Sequence, residues 1–149
     1  MQKSILLVED DELDVISVQR SLKRLELDYK LYTAYNGVEA LAMLRDGNEE
    51  SLASLPDMIL LDLNMPKMNG IEFLKELRMD PKLKDIKVFI MTTSGEEYDR
   101  SITTELGVSG YIIKPLNSDN TKNISSMDNF MQFFMQKIFA QWSIIKLTW

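Results

Sequence analysis

Short apolar runs alternate along this chain with stretches in which apolar residues recur every three or four positions. The runs at 5–8 (Ile5-Leu6-Leu7-Val8) and 58–61 (Met58-Ile59-Leu60-Leu61) contain no polar residue. A strand buried on both faces of a parallel sheet has this pattern, so both predict central strands. Residues 29–34, 87–91 and 110–113 read as three further strands. Between them, Leu13, Val15, Ile16, Val18, Leu22 and Leu25 recur at helical spacing, with Val15, Val18, Leu22 and Leu25 on one stripe. That pattern predicts an amphipathic helix starting near Asp11. Asn36-Gly37 predicts a turn into a helix through Val38, Leu41, Ala42 and Arg45, and residues 46–56 read as a polar loop. Ile71, Leu74 and Leu77 mark a helix that stops before Pro81, because the residue preceding a proline is pushed out of the helical region. Residues 96–106 carry a weaker helical pattern, with Gly107 where a helix end often takes a left-handed residue. Met127, Phe130, Met131, Phe134, Ile138, Trp142 and Ile145 step by three or four and predict a long closing helix over about 120–147.

Strands that alternate with helices imply a parallel sheet, since each right-handed crossover lays its helix on one face. The expected fold is α/β: a flavodoxin-like (βα)5 three-layer sandwich with a five-stranded parallel sheet in the order 2-1-3-4-5, built as one domain over 1–149. Ligands of such sheets bind beyond the carboxyl ends of the strands, near the point where strand order reverses. Acidic residues fall at that place twice, as Glu9-Asp10-Asp11 after the first strand and as Asp62 after the third. Carboxylates delivered to one sheet edge by two strands make a cation and phosphate site.

Composition narrows the chemistry. With 149 residues, 45% of them hydrophobic, the chain suits a single core. A formal net charge of -6 argues against nucleic acid and for a protein partner. The chain has no cysteine and no histidine, which removes disulfides, thiolate and imidazole metal sites and histidine bases together. Any metal must then be held by oxygen, as hard cations such as Mg²⁺ are. No apolar stretch reaches the roughly 18 residues that a membrane span needs, and Met1-Gln2-Lys3 leads directly into a strand. A soluble, cytoplasmic protein is expected.

Five features together resemble the receiver domain of two-component response regulators, the CheY-like family. They are Glu9-Asp10 after the first strand, Asp62 after the third, Asn64-Met65-Pro66 through Gly70 behind it, Thr92 after the fourth, and Lys114-Pro115 after the fifth. The polar loop at 46–56 and the run Met91-Thr92-Thr93-Ser94 resemble the single-domain branch that includes phytochrome-associated regulators. The resemblance covers almost the whole chain. It implies that Asp62 is the phosphoryl acceptor, that Asp10 and Asp62 bind Mg²⁺ directly with the Asn64 backbone carbonyl as a third ligand, and that Glu9 acts through a water. It further implies that Lys114 holds a phosphoryl oxygen, that a cis bond between Lys114 and Pro115 aims it inward, and that Thr92 donates its hydroxyl to the phosphoryl group. Tyr111 would then rotate inward as the readout, shifting the population between two packings of the fourth helix, fifth strand and fifth helix.

The implied function is that of a stand-alone response regulator, not an enzyme. It takes a phosphoryl group from a histidine kinase or a histidine phosphotransfer protein and signals by contact with a separate protein. In the C-terminal segment, Met127, Met131, Met135, Phe130, Phe133, Phe134 and Trp142 read first as core filling. Adjacent Phe133 and Phe134 cannot face the same way, however, so the helix, ending in Trp142, Ile144, Ile145, Leu147 and Trp149, is also a candidate dimer or partner surface. Two positions need separate accounts. Asp11 is read as the cap of the first helix, where a carboxylate meets free amides and the positive dipole end. Thr93 stands where the family more often has Ala or Gly, so access to the phosphoryl group is expected to be narrower. The rival enzyme reading is a haloacid-dehalogenase-like phosphatase, which also uses an aspartate at a strand end with Mg²⁺. It places a second aspartate two residues on as general acid, and here that residue is Asn64, which cannot move a proton in that role. A third reading is a receiver that acts as a binding module without phosphorylation.

Overall fold

The computed structural model describes residues 3–24, 29–63, 65, 67–93 and 100–114. In chain order these form β1 (Lys3–Val8), α1 (Glu12–Arg24), β2 (Tyr29–Ala34), α2 (Gly37–Leu44), β3 (Met58–Asp62), α3 (Gly70–Met79), β4 (Lys87–Thr93), α4 (Arg100–Glu105) and β5 (Gly110–Lys114). All pairings are parallel, in the order β2-β1-β3-β4-β5. This is the expected topology. The long closing helix expected over about 120–147 lies outside the described residues.

Alternation along the two central strands divides the core in two. Leu6, Val8, Ile59 and Leu61 face one cluster, joined by Leu41 and Leu44 of α2 and Phe73, Leu74 and Leu77 of α3. Ile5, Leu7, Met58 and Leu60 face the other, joined by Val15, Val18 and Leu22 of α1. Successive strand residues point to opposite faces, so α1 lies on one side of the sheet and α2 and α3 on the other. Ile5 to Val8 of β1 and all of β3 are buried. That explains why these runs carry no alternating polar residue: neither face of either strand meets water.

The helices α1, α2 and α3 start where Asx side chains cap them. Asp11 accepts from the Leu13 amide at 2.9 Å, Asn36 from the Glu39 amide at 2.9 Å, and Asn69 from the Glu72 amide at 2.9 Å. Each bond satisfies an amide that has no partner within its helix. Asp11 therefore has the capping geometry expected of it.

Several boundaries differ from the expectation. β1 begins at Lys3 rather than at 5, β3 includes Asp62, and β4 runs on to Thr93. Backbone pairing runs past each apolar stretch, Lys3 and Ser4 with Tyr29 and Lys30, Asp62 with Met91, and Thr92 and Thr93 with Ile113 and Lys114. Asn36 caps α2 instead of forming a separate turn, and α2 ends at Leu44. The described part of α4 is six residues long, with Thr103 its buried residue. On α1 the expected stripe is buried at Val15, Val18 and Leu22, with Leu25 outside the described residues, and Leu13 and Ile16 off that stripe are 75% and 42% exposed.

Candidate functional site

Three acidic side chains meet beyond the carboxyl ends of β1 and β3. One carboxylate oxygen from each of Glu9, Asp10 and Asp62 lies within 4.8 Å of the other two. Glu9 is fully buried, Asp62 is 6% exposed, and Asp10 is exposed. The Glu9 amide donates to the Ala34 carbonyl at 2.9 Å, and its carboxylate accepts from the Asp11 amide at 3.1 Å. Glu9 is thus fixed at both its backbone and its side chain. Asp62 sits on the last residue of β3, in register with Met91 of β4.

Like charges so placed repel. Between two carboxylate charges 4.8 Å apart the repulsion is about 3.5 kcal/mol at an effective dielectric of about 20. Burial adds a desolvation cost to the charged forms of Glu9 and Asp62. A cation among the three oxygens reverses the sign of the interaction. The donor set is entirely oxygen, which fits a hard divalent ion and not one that prefers thiolate or imidazole.

The turn after Asp62 is held close by Gly70. A Cβ there would lie 2.6 Å from the Leu63 Cα and 2.7 Å from the Asp62 carbonyl oxygen, both backbone atoms. The Gly70 amide donates to the Leu63 carbonyl at 2.9 Å. Any larger residue would displace the backbone that carries Asp62. Within this turn Lys67 takes a left-handed φ of 67°, which is uncommon for a residue with a side chain.

The other expected site residues divide into two groups. Thr92 and Lys114 have their backbones on β4 and β5, where Thr92 pairs with Ile113 and Thr93 with Lys114, at the same sheet edge as Asp62. Their side chains, that of Thr93, the residues Asn64 and Pro115, and hence the expected cis bond lie outside the described residues. Tyr111 is described. It is half-buried against the core cluster of α2 and α3, and its hydroxyl is hydrogen-bonded to that of Thr103 at 2.5 Å. The Arg100 guanidinium lies over the Tyr111 ring, 5.3 Å from its centroid. Thr103, fully buried, also donates to the Arg100 carbonyl at 3.2 Å. The sequence reading had not singled out Thr103 or Arg100. A threonine in a weakly patterned helix carries no signal of the tyrosine it faces.

Residues 5–125 match the family described as response regulator receiver domain. The chain is 40% identical over 129 residues to the response regulator Rcp1 of Synechocystis sp., covering 86% of this chain and 88% of that protein. Among solved structures it resembles the phosphorylated cyanobacterial phytochrome response regulator RcpA, with a TM-score of 0.77, 35% identity, and coverage of 91% of this chain and 93% of that one. It also resembles the Mn²⁺-bound form of Rcp1, with a TM-score of 0.74, 37% identity, and coverage of 90% and 92%.

Proposed function

Since the chain belongs to the response regulator receiver domain family, we propose that Asp62 is the residue that carries its phosphoryl group. Receivers of two-component systems accept phosphoryl groups from histidine kinases, and that function is this chain's. The observation that supports Asp62 as acceptor is the convergence of Glu9, Asp10 and Asp62 within 4.8 Å.

In the proposed step an Asp62 carboxylate oxygen attacks phosphorus, the bond from phosphorus to the donor histidine nitrogen breaks, and an acyl phosphate forms. Two anions must approach for this to happen. A divalent cation, Mg²⁺ in our reading, would supply the neutralising charge when bound. Asp10 and Asp62 would hold it directly, with the Asn64 carbonyl as a third ligand and Glu9 acting through a water. Burial of Glu9 and its bond to the Asp11 amide support that last role, because a fixed carboxylate orients a water better than a free one. Lys114 and Thr92 hold phosphoryl oxygens, and Tyr111 reports the change. Its contacts with Thr103 and Arg100 tie the readout to α4.

The output in this reading is a contact with a separate protein, or pairing of two copies through the C-terminal half, in the cytoplasm. Among the described residues no helix is long and apolar enough to cross a membrane. Incubation with phosphoramidate and Mg²⁺ tests the assignment. One equivalent of acyl phosphate per wild-type chain and none in Asp62→Asn is the expected result. Labelling retained in Asp62→Asn, or many turnovers of a phosphate ester without labelling, would overturn it in favour of another acceptor or of a phosphatase.

A further inference from the structure

Two acids of the cluster sit on different turns, one after β1 and one at the end of β3. A third turn touches both. The Glu9 amide donates to the carbonyl of Ala34, the last residue of β2, so the first acidic turn hangs on the corner between β2 and α2. That corner is itself stiff. Asn36 accepts from the Glu39 amide at 2.9 Å, while the Glu39 carboxylate accepts from the Tyr35 amide at 3.3 Å, a reciprocal cap.

The next residue, Gly37, is buried and lies against the turn that follows Asp62. A Cβ on Gly37 would lie 2.9 Å from Cγ, 3.0 Å from Cβ and 3.0 Å from Sδ of Met68. Cγ and Sδ could clear the methyl group only by leaving their packing against the core, and the Cβ contact would still require the turn that carries Met68 to give by a few tenths of an ångström. Two residues further on, Gly70 is pressed more closely still, a Cβ there lying 2.6 Å from the Leu63 Cα and 2.7 Å from the Asp62 carbonyl oxygen. A shift at Met68 therefore reaches the backbone that positions Asp62.

We propose that Gly37 and Met68 are positioning residues for the acidic cluster, setting the distance between the turns that carry Glu9 and Asp62, and so its affinity for a divalent cation. The inference rests on the phosphoacceptor reading above for its effect on phosphoryl transfer, though not for its effect on metal binding. Gly37 needs no left-handed backbone, so what the position requires is space. Helix propensity alone gives the opposite expectation, since replacing a helical glycine with alanine ordinarily stabilises a helix by up to about 1 kcal/mol.

The test compares the full-length wild type with Gly37→Ala, Met68→Ala and the double variant, using Mg²⁺ titration calorimetry, thermal unfolding in EDTA, and the rate of labelling by phosphoramidate. We expect Gly37→Ala to weaken Mg²⁺ binding about tenfold and to slow labelling by a similar factor, as loss of an orienting partner around a metal commonly does. The double variant should return to within about twofold of Met68→Ala, because alanine removes the Cγ and Sδ contacts at 2.9 and 3.0 Å and leaves only the Cβ contact, which a shift of a few tenths of an ångström relieves. Wild-type affinity in folded Gly37→Ala overturns the proposal, as does a folded double variant no better than Gly37→Ala. Should Gly37→Ala fail to fold, recovery of fold and affinity in the double variant supports the pairing, and recovery of neither overturns it. If Mg²⁺ affinity follows the expected pattern while wild type takes no phosphoryl group on Asp62, the acceptor assignment has failed and the positioning role stands.

Discussion

The two ends of the sheet treat charge in opposite ways. At the carboxyl end, Glu9, Asp10 and Asp62 are gathered within 4.8 Å, two of them buried. At the other end charges are matched. Arg78 donates to the carbonyls of Leu106 at 2.6 Å, Lys84 at 2.7 Å, Ile86 at 2.8 Å and Gly107 at 3.3 Å. Arg45 pairs with Glu76 at 3.1 Å and Asp80 at 3.6 Å, and Lys82 with Asp46 at 3.1 Å. Burial lowers the pKa of the Arg78 guanidinium, opposed by the nearby Asp85 carboxylate. The first arrangement is one whose repulsion a bound cation would offset. The second ties α3 to the turns that lead into β4 and β5.

If this division is real, the two ends should respond separately to substitution. Arg78→Ala should give the largest change in stability, on the order of 1.5–3 kcal/mol per charged hydrogen bond lost without replacement, since several carbonyls lose their donor at once. Urea unfolding would measure it. Phosphoryl uptake by the folded variant should stay near wild type; a large loss of uptake would show that the ends are coupled. Asp10→Asn acts on the other end. In EDTA it should unfold at a higher temperature than wild type, because one like charge is gone, whereas the gain on adding Mg²⁺ should shrink. Equal gains in the two proteins would remove Asp10 from the ligands. Lys82→Ala should have the smallest effect, within about 0.5 kcal/mol, because its pair with Asp46 is 77% and 79% exposed and water screens it. A change above 1 kcal/mol would mean that exposed pairs contribute more here than their solvation allows.

How much of this was legible in the sequence depends on whether the cause is local. The unbroken apolar runs of β1 and β3 announced strands covered on both faces, and from that the topology followed. Glu9, Asp10 and Asp62 could be placed together because strand ends in a parallel sheet share an edge. Asp11 could be read as a cap from its position alone, and the bond to the Leu13 amide agrees. Close approaches between distant turns left no such trace. Gly37 reads as a turn glycine, and nothing near it in sequence shows that Met68 occupies the space where its Cβ would be. Arg78 reads as a solvated cation near a helix end, yet it reaches carbonyls up to 29 positions away. Thr103 was hidden for the same reason, its partner Tyr111 lying on a neighbouring strand.

The central claim is that three carboxylates from two turns form one divalent-ion site beside the residue that is phosphorylated. Diffraction from Mn²⁺-soaked crystals, recorded at the manganese absorption edge, tests it most directly. A single strong anomalous peak bonded to the carboxylates of Asp10 and Asp62, with Glu9 one water away, is the expected result. A peak elsewhere on the molecule, with the three acids left without an ion at saturating Mn²⁺, would contradict it.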